Sequence, residues 1–138
     1  MNRIKLTNNS DLVLFRHGII AAEEVRSIEL DALVDTGAVM LALPEDVVAR
    51  LGLQVGPRKK VRDALGRIAE VGLASDLRFE MLGREMPCDA YVLPVGAQPL
   101  IGQIQLEALD LIVDARAQEV RVNPEHPDGP ILDLLACA

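Results

Sequence analysis

The chain is built from short runs of alternating apolar and polar residues, cut at close intervals by glycine, proline and asparagine. No run has the length or the 3.6-residue period of a long helix. "RIKLT" (3–7) alternates as a half-buried strand. "VRSIELDALV" (25–34) alternates through Ile28, Leu30 and Ala32 and then becomes continuously apolar. "KKVRDALGRIAEVGL" predicts two strands joined through "DALGR", with Gly66 free to take the positive φ of a hairpin turn. "SDLRFEML" and "REMPCDAYVLP" predict a second hairpin, turning at Gly83. "LDLIVDA" and "QEVRVNP" predict a third pair. Only "PEDVVARLGL" reads clearly as a helix, with Pro44 in its first turn, Glu45 and Asp46 at its positive end and Gly52 as its stop. "DLVLFRHG" reads as a short helix or turn capped by Ser10 or Asp11, and residues 103–108 as one helical turn. Many short strands, one or two short helices and no long connection predict an all-β fold, a closed or partly closed and mainly antiparallel barrel.

The 138 residues suit one domain, 1–138. Half are apolar, but Phe15, Phe79 and Tyr91 are the only aromatics, so the core must be aliphatic. A net charge of -7 argues against nucleic-acid binding through the overall field. "RKKVR" (58–62) runs against that charge and reads as a solvated strand. The first ten residues hold no apolar signal core, and no apolar stretch is long enough for a membrane helix. Cys88 and Cys137 lack metal-type spacing and read as reduced thiols of a cytoplasmic protein. His17 and His126 have no ligand pattern near them, so neither a metal nor a cofactor is expected. Glu107 and Asp110 are expected to face solvent.

One carboxylate stands out. In "DALVDTGAVMLALP" (31–44), Asp35 lies between two apolar runs. A buried, unpaired carboxylate is costly, so Asp35 either reaches water or serves chemistry. Asp-Thr-Gly alone is weak. Its context is stronger: an apolar approach, a small residue (Ala38), a second apolar run, a glycine-tipped hairpin, then "LIG" (100–102) opening another short helix. "LDALVDTGAVMLALPEDVVARLGL" and "AQPLIGQIQLEALDLIVD" echo each other faintly as strand, glycine bend and short helix.

With "LVDTGA", "DALGR", "PLIG", "LEALDLIVD" and "VNPEHP" in place, the chain resembles the retroviral-type, single-domain aspartic proteases, especially their bacterial relatives. The resemblance implies the acid-protease (retropepsin) barrel and a symmetric homodimer. It implies that Asp35 is the catalytic aspartate. Thr36 would bond across to its counterpart, and Gly37 would let the backbone approach the dyad. Ala64, Leu65, Gly66 and Arg67 would form the tip of a flap over a peptide. Leu100, Ile101 and Gly102 would form the strand behind the active loop. With Ala38 these residues make up the expected substrate-binding set.

One Asp-Thr-Gly supplies one carboxylate, and a two-fold axis would supply the other. Two carboxylates at close range share a proton, so one activates water while the other protonates the scissile carbonyl. The expected activity is an aspartic endopeptidase acting on peptide or protein substrates at acid to mildly acidic pH. The chain departs from the pattern in three places. Ala38 lacks the hydroxyl found in many cellular enzymes. Leu65 stands where bacterial relatives usually carry Asp. Gln103 replaces the arginine that braces retroviral dimers. The tail, residues 131–138, is then the candidate for the dimer contact. The competing reading is a catalytically weak or inactive dimeric binding or scaffolding module on the same fold.

Overall fold

A computed structural model describes residues 1–63 and 65–134. Ala64 at the hairpin tip, Cys137 and the tail beyond residue 134 lie outside them. Thirteen elements follow one another along the described residues. They are β1 (Asn2–Asn8), α1 (Asn9–Arg16), a 3-10 turn (Ala22–Glu24), β2 (Ser27–Val34), β3 (Ala42–Pro44), α2 (Glu45–Arg50), β4 (Gln54–Arg62), β5 (Ile68–Met81), β6 (Arg84–Leu93), β7 (Leu100–Ile101), α3 (Gln103–Ala108), β8 (Leu111–Asp114) and β9 (Glu119–Val122).

Six strands close a ring. The order β1-β2-β7-β3-β6-β5 returns to β1 through a direct β1–β5 pairing. Closure gives each of those strands a partner on both sides along part of its length. β4 hangs outside the ring on β5, while β8 and β9 form a separate two-stranded sheet. Most pairings are antiparallel, but β2–β7 and β3–β6 are parallel. The expected all-β barrel with short helices is therefore the fold.

Strand alternation decides what fills the ring. Asn2, Ile4, Leu6 and Asn8 point inward from β1, and Ala74, Leu77, Phe79 and Met81 are buried along β5. They meet Leu41, Leu43, Leu51, Ile101 and Leu109, all but fully buried. Phe79 is the one aromatic of this core, and Phe15 is exposed on α1. The expected aliphatic core is present. Cys88 is a free thiol packed against it, and burial pushes its pKa up to about 12.

Two local expectations need correction. "IAEVGL" and "SDLRFEM" are one fourteen-residue strand, β5, rather than two strands from separate hairpins. The break in alternation is an irregularity between Ala74 and Leu77, where Asp76 takes φ +67° and the strand continues. Helix α1 is capped by Asn8, whose side chain accepts the Asp11 amide at 3.0 Å, not by Ser10 or Asp11. Asp11 is buried instead and grips Arg26 through its backbone amide and its guanidinium. That side-chain bond holds the Asp11 carboxyl below its ordinary range. Helix α2 stops before Gly52, φ +64°, as its sequence predicts, but Pro44 ends β3 and caps the helix rather than standing in its first turn.

Candidate active site

β2 leads into the site. Its last residues pair in parallel with β7, Leu33 opposite Leu100 and Val34 opposite Ile101. The Leu33 amide donates to Pro99 O at 2.9 Å, and the Asp35 amide to Ile101 O at 3.1 Å. The strand ends there, and residues 35–37 emerge exposed at the rim. The carboxylate is thus not trapped between buried runs. Within one chain Asp35 reaches solvent, so it needs no partner charge in order to be tolerated. The buried neighbour is Ala32, two positions before the strand ends, not the loop itself.

The loop is shaped by its own short bonds. Asp35 Oδ1 accepts the Gly37 amide at 2.9 Å, and Asp35 O accepts the Ala38 amide at 3.0 Å. A methyl group on Gly37 would stand 3.2 Å from Asp35 Oδ1, so glycine leaves the carboxylate its place. Thr36 is exposed beside it.

From behind, the loop is joined to α3. Ala38 O accepts the Gln103 amide, and Val39 O accepts the Ile104 amide, both at 2.9 Å. A Cβ on Gly102 would fall 2.5 Å from the N, Cα and C atoms of Met40, which is backbone and has no room to yield. Glycine at 102 is therefore required for the two segments to touch. One turn on, the fully buried Gln105 accepts the Leu41 amide with Oε1 at 2.8 Å. Sequence reasoning missed Gln105. Its only signal was a glutamine directly before Leu106, in a turn that also carries Gln103 and Glu107.

The structure thus brings Asp35, Thr36, Gly37 and Ala38 together with Leu100, Ile101 and Gly102. Ile101 and Gly102 are buried, so they support the loop, and of the three only Leu100 offers partly open surface. Around the loop, Leu33, Val39 and Ile104 expose apolar side chains.

The hairpin expected to be a flap is β4–β5. Its tip is held by Asp63, a second residue the sequence did not single out. Asp63 Oδ1 accepts the Leu65 and Arg67 amides, each at 2.9 Å, and Oδ2 meets Arg67 Nε at 3.1 Å. Gly66 turns with φ +80°, and Leu65 stands 76 % exposed. Among the described residues, no hydrogen bond joins this tip to loop 35–38.

Two further features lie away from the loop. Asp110 does not face solvent freely, as expected, but lies in a polar knot with φ +53°. It accepts Asn123 Nδ2 at 3.0 Å, His126 Nδ1 at 2.5 Å and the Ile131 amide at 3.2 Å. The Asn123 bond leads in pulling its pKa down to about 2, with His126 helping. The buried Arg84 supports the same segment through the carbonyls of Leu109, Asp110 and His126. A cavity of about 370 Å³ opens between α1 and the outer sheet face, lined by Lys5, Phe15, Arg16, Arg78 and Glu85 among others, and includes neither Asp35 nor the hairpin tip.

Comparison with known proteins agrees with this geometry. The family model described as "Aspartyl protease" matches residues 23–104, from before β2 to the start of α3. No curated protein sequence matches the chain. Among solved structures, the retroviral protease-like domain of Ddi1 from Leishmania major is similar in fold. Its TM-score is 0.53 at 20 % identity, over 90 % of this chain and 89 % of that one. EIAV protease complexed with the inhibitor HBY-793 matches at a TM-score of 0.47 and 20 % identity, over 58 % of this chain and 76 % of that one. With its ring of six strands, its Asp-Thr-Gly loop mounted on Gly102, and a family match over more than half its length, the chain belongs to the aspartyl protease family and has the retroviral-protease-like fold.

Proposed function

We propose that the chain is an aspartic endopeptidase that works as a symmetric homodimer, each copy contributing one Asp35. The observation that carries this reading is the mounting of Asp35. Its carboxylate is exposed at the rim and, among the described residues, bonded only to its own loop, whose return arm is held from behind by Gly102 and Gln105. Rigid support behind an open reactive group is what positional catalysis needs. The exposed Leu33, Val39 and Ile104 suit burial against a second copy. Across the two-fold axis the two carboxylates would share one proton and titrate as a unit. One would take a proton from a water held between them. The water oxygen attacks the peptide carbonyl carbon while the other carboxyl protonates the carbonyl oxygen; the proton taken from water then passes to the amide nitrogen, and as a hydroxyl of the adduct returns its proton to the dyad the C–N bond breaks and the amine leaves. A peptide would lie extended under the β4–β5 hairpins, with Leu65 against an apolar side chain.

The second reading, a dimeric binding module with negligible turnover, draws on Gln103. Its side chain donates to Glu107 on its own helix at 3.2 Å and offers no guanidinium to brace a second chain. The test separates the two. Wild type and Asp35→Asn are compared for cleavage of a peptide library at pH 4 to 7, with sedimentation of both. The protease reading expects a dimer in both proteins and cleavage in wild type alone. A strict monomer at high concentration, or full cleavage by Asp35→Asn, overturns it. A dimer that cleaves nothing favours the binding module.

A further inference from the structure

Among the described residues, β4 is the one strand of the seven-stranded sheet that pairs on a single side along its whole length. Its other edge therefore presents backbone donors and acceptors to any extended chain that approaches. Every residue of β4 except Val61 is exposed. Into five positions of this strand the sequence places Arg58, Lys59, Lys60 and Arg62, four of the 14 basic residues in a chain of net charge -7. Among the described residues none of the four makes an ion pair, whereas Arg3, Arg26, Arg67, Arg78 and Arg121 all do. The single carboxylate in register with the row is Glu70, opposite Lys60. Asp63, next to the row, is already engaged by Arg67. The local field thus has the opposite sign to that of the whole protein, and it sits beside a free strand edge.

Apolar surface adjoins the row. Ile68 lies opposite Arg62 in the β4–β5 register and is 65 % exposed, and the exposed Leu65 follows Arg62 by three positions. Lys60 and Arg62 share one face of the strand, because side chains alternate. A chain running along this edge would meet two cations on one face and apolar side chains at the tip.

We propose that the hairpin selects extended peptides that carry acidic residues flanking an apolar centre, with Lys60 and Arg62 as the main readers of the acidic positions. This rests on the protease reading for its consequence in turnover, although binding can be measured without it. Cations on a strand edge also discourage edge-to-edge aggregation. That role alone would leave peptide selection unaffected, which gives the test its contrast.

The experiment uses two fluorogenic peptides of one length and one apolar centre, flanked by Glu in the first and by Gln in the second. The measured quantity is the ratio of their kcat/KM values in wild type and in the double variant Lys60→Gln, Arg62→Gln. Binding of the same peptides, labelled, is read in parallel by anisotropy on Asp35→Asn. The wild-type ratio should favour the Glu peptide by about tenfold and shrink as salt rises from about 50 to about 500 mM. In the double variant the ratio should fall to near one, through KM rather than kcat. Equal wild-type ratios, or a ratio the double variant leaves in place, overturn the proposal and leave the protease reading standing. Salt-sensitive binding of the Glu peptide with no cleavage of either keeps the surface assignment and removes the protease reading. A single-stranded DNA that competes as strongly as the Glu peptide overturns the proposal, since the row would then read charge alone.

Discussion

Gln105 and Leu41 are joined across 64 positions of sequence by one bond, from the Leu41 amide to Gln105 Oε1 at 2.8 Å, with both residues buried. This bond closes the return arm of the Asp35 loop onto α3. Gln105→Leu keeps the volume and removes the acceptor, leaving a buried N–H without a partner. It should cost about 1–3 kcal/mol of stability, read as a lower urea midpoint with an unchanged m-value. On the protease reading, cleavage should fall further than stability does, because the loop that carries Asp35 loses its support.

Gly102→Ala should be worse. Its methyl group would meet Met40 backbone at 2.5 Å, and backbone cannot rotate aside. A loss of about 3 kcal/mol or more is expected, or failure to fold. Gly129→Ala is the control, because a Cβ there meets nothing within 4 Å. Thermal unfolding of both variants against wild type checks the contrast.

The hairpin tip depends on Asp63. Asp63→Ala removes two acceptor contacts to the Leu65 and Arg67 amides and the ion pair to Arg67. Global stability should move by about 0.5 kcal/mol or less, since the site is exposed. Amide exchange at Leu65 and Arg67 should quicken by about fivefold or more. Asp63→Asn retains one acceptor oxygen and should restore part of that protection. Exchange measured by NMR that is equal in wild type and Asp63→Ala would show that the carboxylate does not shape the tip.

Asp110 gives a pH window with a definite sign. Its folded pKa lies near 2, below the ordinary 3.8. A group depressed on folding stabilises above its unfolded value and loses that contribution as pH falls through the folded one. Asp110→Asn should therefore cost stability at pH 6, and the gap to wild type should close between about pH 4 and pH 2. Asp11 and Glu85, also held low, drive both proteins in the same direction, so the difference between the two denaturation curves is the quantity to read.

Much of this was legible because it is local. The alternation in "RIKLT", the stop at Gly52 and the positive φ of Gly66 and Gly83 follow from residue type and spacing alone. The Asp35 loop and its backing strand were also visible, since apolar runs around Asp-Thr-Gly and "LIG" mark the β2–β7 pair. The faint echo between the two halves corresponds to strand, bend and helix in each, with β3 added in the first. What escaped depends on contacts between distant residues. Nothing near Asp110 in sequence announces Asn123 and His126, and Gln105 gives no hint of Leu41. The continuity of β5 was hidden by the irregularity at Asp76, which disrupts the period without ending the strand.

That continuity has a mechanical meaning. The residues of β5 that pair with β4 in the hairpin, Ile68 to Ser75, run without a break into those that pair with β1 and β6 in the ring. No loop separates the hairpin from the ring, so one strand is at once an arm of the hairpin and a stave of the barrel. A load on Leu65 passes along covalent main chain to the Asp76 irregularity, and beyond it into the strand that carries Phe79 at the centre of the core.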